Sequence, residues 1–239
     1  MPIIRRLIPL LLVLPLLAAA PPAEATTMRQ AEAGIAAAYA EYRAALFRSN
    51  QNDRPGTEAA IDAFAAAWAR LAEAWRSAPP PQYAEDPGFS ATVAAVARIA
   101  AEARARAATD VAAAHEILEG IRDELGALRA RNGVIVFSDH VNAYHEAMEH
   151  VIAGQYAGLD AEGLEALRDD AAVLLHLARR LGENRPANAD AAAFEAAFGP
   201  VRASAEALLA AVRAGDREAI ARARAGLKPP FSRLFLRFG

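Results

Sequence analysis

The stretch FSDHVNAYHEAMEHV, residues 137–151, carries three of the chain's five histidines, His140, His145 and His150, interleaved with Asp139, Glu146 and Glu149. Imidazole nitrogen and carboxylate oxygen are the donors that hold zinc, copper or a harder-ligand ion such as ferrous iron. An upstream segment, HEILE, mirrors the pattern: His115-x-x-x-Glu119 stands against Glu146-x-x-x-His150 in EAMEH. With a turn near Gly133, an antiparallel hairpin sets His115 level with His150 and Glu119 level with Glu146. Helical bundles build metal sites in this way from facing helices. The spacing therefore predicts a transition-metal site, for zinc or copper, at His115, Glu119, Glu146 and His150, with His140 and His145 as a second cluster.

Helix phase qualifies that expectation. At 100° per residue, Phe137, Val141, Tyr144, Met148 and Val151 form the inward stripe, which leaves His140 and His145 at its two margins and Glu146 and His150 on the solvent side. His115 also lies well away from the apolar centre of Ala114, Leu118, Ile121 and Leu125, so both helices must rotate toward each other for four side chains to meet. Two competing readings stand beside the metal. One is a solvated face whose Glu and His pairs contribute a few tenths of a kcal/mol each. The other is a polar patch of His140, Tyr144 and His145 at a bundle seam.

The elements that must carry these residues read as helix throughout. No stretch shows the alternation of a half-buried strand, whereas apolar residues recur at three and four, as in Ile35, Tyr39, Tyr42, Leu46 and in Ile61, Phe64, Trp68, Leu71, Trp75. Breaks fall at SNQNDRPG, at APPPQYAEDPG, at AATD (107–110), near Gly133, before the Asp160 cap and at GENRP. Ser138 or Asp139 is the expected cap of a helix running to Gln155, and Pro200 is an expected kink or break. The class is all-α, an up-down helical bundle.

Residues 214–239 align without gaps on 108–133, matching Asp216 to Asp110, Gly226 to Gly120, Lys228 to Arg122 and Leu234 to Leu128. This suggests two tandem four-helix bundles, 26–133 and 134–239, against the alternative of one continuous bundle of seven or eight helices. The closing FSRLFLRFG is too apolar to hang free and is expected to dock back on the bundle.

Arg5 and Arg6, an apolar run from Leu7 to Ala20 and the small-residue pattern Ala23-Glu24-Ala25 read as a signal peptide, residues 1–25. The run falls short of the roughly 20 residues a membrane-spanning helix needs. The mature chain is thus expected to be periplasmic, with no transmembrane anchor after cleavage. The absence of cysteine excludes disulfides, thiolate ligands and c-type haem attachment.

Removing Arg5, Arg6 and Glu24 turns 26 positive and 29 negative side chains into 24 and 28, a mildly acidic balance with no electrostatic footprint for nucleic acid. In layout and length each half resembles the soluble periplasmic bundle cytochromes, in architecture only. That resemblance implies haem held by a Met and a His meeting at one end of the core, yet Met28 has no histidine placed to meet it and none follows His176. No Ser or Cys stands beside a base in the sequence, and no glycine-rich phosphate loop is present. The expectation is an exported binding or accessory protein rather than an enzyme, its partner a metal ion or, alternatively, another envelope protein docking on a bundle face.

Overall fold

The computed structural model describes residues 27–239; the signal peptide expected over residues 1–25 lies outside them. The chain is all-α, with α1 Met28–Asn50, α2 Arg54–Trp75, α3 Phe89–Ala107, α4 Val111–Arg131, α5 Phe137–Ala153, α6 Ala161–Glu183, α7 Ala191–Ala214, α8 Arg217–Ala225 and α9 Lys228–Phe238. No strand occurs among the described residues, and none of their helices is long and apolar enough to cross a membrane.

Short polar residues fix most of the helix starts. Thr27, Asp53, Asp110, Asp160, Asp190 and Asp216 each accept a hydrogen bond from a backbone amide in the first turn, which satisfies one of the donors a helix start leaves orphaned. For α5 the cap is Val136, not Ser138 or Asp139 as expected; Asp139 sits in the first turn and reaches back to accept from the Val136 amide at 2.9 Å. Pro200 neither ends nor divides α7. The carbonyl it leaves without a partner belongs to Ala196, which is exposed, so the lost hydrogen bond falls on the solvent side of the helix.

Two apolar cores form. The first gathers Tyr39, Tyr42, Phe64, Trp68, Trp75 and Phe89 from α1–α3 with Leu118, Ile121, Leu125 and Leu128 of α4. The second gathers Tyr144, Met148, Leu167, Leu174, Phe198, Leu208 and Leu234 from α5–α7 and α9. The helix series repeats: the caps Asp110 and Asp216 lie 106 residues apart, and α1 to α4 correspond in order to α5, α6, α7 and the pair α8–α9. Where α4 runs unbroken, its counterpart is split after Ala225, ahead of Lys228-Pro229-Pro230.

The closing segment docks as expected. Phe231 and Leu234 of α9 are buried, Phe235 touches both cores, and the buried Arg43 of α1 donates to the Gly239 carbonyl. The two halves therefore meet along a seam made by α1, α4, α5 and α9, with α1 packed on α4 and α9 and with α5 packed on α9. Helices α4 and α5, although consecutive, do not belong to the closely packed pairs.

Candidate functional site

The gap between α4 and α5 decides the fate of the histidines. Each helix buries its apolar stripe in its own core, so the two diverge from the turn and only long side chains span the space. Near the turn the buried Arg129 grips Asp139 through Nε at 2.8 Å and NH2 at 2.7 Å. Farther out Arg122 NH1 meets His145 Nδ1 at 2.9 Å. Arg122 opposite His145 and Arg129 opposite Asp139 keep the antiparallel register within about three residues of the expected one. What differs is the distance between the helices.

The four residues expected to share a metal do not all meet: His115 stays beside Glu119, which also lines the outer groove with Glu146, but His150 turns away. His150, on the solvent side, reaches α6 instead, with Nε2 3.3 Å from Asp170 Oδ2. Glu146 is exposed in the wide outer groove between α4 and α5, about 770 Å³ in volume. His140 lies on the other flank of α5, near Arg180 and Asn184, and so does not pair with His145. Among the described residues no group of three or more His, Asp or Glu side chains is gathered as a metal ion would need.

The structure does bring His115, Glu119 and His145 into one place, together with Glu149. They line a cleft of about 330 Å³ at the seam, walled by Leu46 and Phe47 of α1 and by Phe231 and Phe235 of α9, with Arg122 and Lys228 at its sides. The pattern is a pair of His-x-x-x-Glu steps, one on each helix. His115 Nε2 lies 3.7 Å from Glu119 Oε1, and His145 Nε2 lies 3.6 Å from Glu149 Oε1. Glu119 is held by Arg122 at 2.7 Å and Glu149 ion-pairs with Lys228 at 3.1 Å.

The two imidazoles present opposite edges to this cleft. Arginine can only donate, so the contact from Arg122 makes His145 Nδ1 the acceptor and puts its proton on Nε2, facing Glu149. The ring is locked there by stacking on Phe231, with centroids 5.1 Å apart and planes 4° from parallel. For His115 the partner is Ser49, whose Oγ lies 2.7 Å from Nδ1 and donates its single proton to the Leu46 carbonyl at 2.9 Å. His115 Nδ1 is then the donor, and its Nε2 turns an unprotonated lone pair toward Glu119.

Burial pushes both histidines below their usual pKa, assisted by the positive charge of Arg122 and Lys228 and opposed by Glu119, with Glu116 also opposing at His115 and Glu149 at His145. Beneath the cleft, Tyr39 and Tyr42 are buried with ring centroids 4.6 Å apart, and burial raises both phenols.

Sequence reading found no serine beside a base, yet the fold sets Ser49 against His115. That pair is not a nucleophile and its base. Ser49 is buried on α1, its proton is spent on its own helix, and it does not line the cleft. Its work is to fix the tautomer. Arg122, Glu149, Lys228 and Phe231 were also missed as site residues. Glu149 lay within the histidine stretch, and the alignment of Lys228 on Arg122 was a usable signal, since both now flank one cleft and each pairs with a glutamate.

No family model, curated protein or solved structure matches this chain.

The lowered histidines make a pH prediction. His115, His140 and His145 all hold fewer protons folded than unfolded between their depressed pKa values and the unfolded value of about 6.5. Their contribution is complete above that value and is lost as pH falls through the window. Urea unfolding midpoints are expected to decline from pH 7 to 5, with a shallower slope in His145→Gln; equal slopes in the two proteins would contradict it.

Proposed function

We propose that the protein is an exported binding protein whose ligand occupies the seam cleft of His115, Glu119, Arg122, His145 and Glu149. The amino-terminal segment 1–25 supports export to the periplasm. One observation carries the binding reading: ionisable side chains from both halves converge on a cleft where a bundle seam would be most stable if apolar. Arg122, His115 and His145 keep only 16, 17 and 20 % of their side-chain surface. Desolvating such groups is unfavourable, and the pairs they form do little more than offset it. A cleft of about 330 Å³ with apolar walls and a few convergent polar groups suits a small ligand.

A second reading, a transition-metal binder, is favoured by the His115 lone pair beside Glu119. It requires a further protein donor to move in, since His145 offers an N–H rather than a lone pair.

The test is thermal unfolding of the chain purified without a histidine tag, with zinc chloride, copper sulfate and small organic amines and acids as probes. A ligand at about a hundred times its Kd adds about 2.7 kcal/mol, a rise of several degrees at this chain length. The reading expects at least one such rise and its loss in Glu119→Gln; a flat response to every probe would remove its support.

A further inference from the structure

We infer that the cleft takes a small organic ammonium ion, a monocation with an apolar body. The inference rests on the reading of the cleft as a binding site and names the chemistry of its ligand. Its ground is the account of donors and acceptors around the cavity. Arg122 spends NH1 on His145 and NH2 on Glu119, and the Ser232 hydroxyl donates to the Lys228 carbonyl.

Two acceptors are left facing each other. His115 Nε2 is unprotonated once Ser49 has accepted from Nδ1. Glu119 is bound by Arg122 through Oε2, and its other oxygen faces only that lone pair, at 3.7 Å. Glu149 Oε1 is buried against the Lys228 ammonium at 3.1 Å and the His145 Nε2 proton at 3.6 Å, so it adds negative charge to the cleft rather than a free acceptor. Two acceptors side by side repel each other. A group with several N–H donors placed between them relieves both at once.

Charge and shape point the same way. With both histidines neutral, Arg122 and Lys228 stand against Glu116, Glu119 and Glu149, which leaves the lining one unit negative. A carboxylate ligand would meet three carboxylates and find the arginine already engaged. A bare metal ion would find only His115 offering a nitrogen lone pair. Leu46, Phe47, Phe231 and Phe235 supply apolar surface that a hydrated inorganic cation would not use, and aromatic faces attract an ammonium.

The experiment is isothermal titration calorimetry of the protein at pH 7.5 with 2-phenylethylamine and n-butylamine, the carboxylates of the same apolar bodies, 3-phenylpropionate and n-pentanoate, and zinc chloride. At least one amine is expected to bind at one equivalent while neither acid does. Glu119→Gln should weaken the amine at least tenfold, while Asp123→Asn, which removes the same charge from an exposed neighbour on α4, should change it less than twofold. Preference for the acids, equal weakening by the two variants, or binding of zinc alone would overturn the ammonium assignment and leave the cleft a binding site of another kind. Silence from all five probes would overturn both.

Discussion

Asp139→Ala is expected to lower the stability of the protein by about 3–5 kcal/mol, which is the range for stripping the partner from a buried charge. Arg129 is the charge in question: it is 2 % exposed, and Asp139 holds one edge of its guanidinium, through Nε and Nη2. Removing the carboxylate leaves the guanidinium with the Ser138 hydroxyl at 3.3 Å as its remaining side-chain hydrogen-bond partner. Asp139 also satisfies the Val136 amide, so the start of α5 frays as well, at about 1 kcal/mol. At this chain length the loss corresponds to a fall in Tm of roughly 10 °C. The cycle with Arg129→Met separates the two effects. In the double variant the unpaired charge is gone, so most of the loss should return, apart from the cap. Additive losses in urea unfolding would show that the pair is not coupled and that the packing of Arg129 alone matters.

Truncation after Leu227, which removes α9, is expected to have the other large effect. Phe231 and Leu234 are buried, and Phe235 is shared between the two cores. Emptying a single Leu or Phe site costs about 2–5 kcal/mol, so losing the helix removes an amount comparable to the whole stability of an ordinary domain, about 5–15 kcal/mol. The truncated chain should be largely unfolded in its second half, with reduced helical circular dichroism and rapid proteolysis beyond Gly133. A milder variant, Leu234→Ala, keeps the chain folded and should cost about 2–5 kcal/mol in urea unfolding. A truncated protein of unchanged helicity and midpoint would mean that α9 merely rests on the surface. That outcome would also revive FSRLFLRFG as a free segment for an envelope partner.

The candidate site was partly legible beforehand, and particular residues show where legibility stopped. The spacing of His115 to Glu119 and the single lysine Lys228 aligned on Arg122 could both be read from the chain. That His115 faces Ser49, 66 residues earlier, could not, because nothing local relates the end of α1 to the first turns of α4. The choice of Glu149 over Glu146, three residues apart, turned on about 60° of helix rotation at roughly 100° per residue. Periodicity fixes which face is apolar; it does not say how far apart two apolar faces will be drawn.

By itself the sequence determined the helices, most of their caps, the inward stripes and, to within about three residues, the hairpin register, since all of these arise from interactions within a few residues: repeat period, capping side chains, proline and glycine. The tertiary structure decided which side chains meet across the seam. Tyr144 and Leu118 were each bound to be buried, yet they are buried in different cores, and that division pulls α4 from α5, sends His150 to Asp170, and leaves the Arg122–His145 contact spanning the gap. Contacts between residues distant in the chain depend on how whole helices share out their apolar surface, a balance summed over many side chains that no single motif encodes.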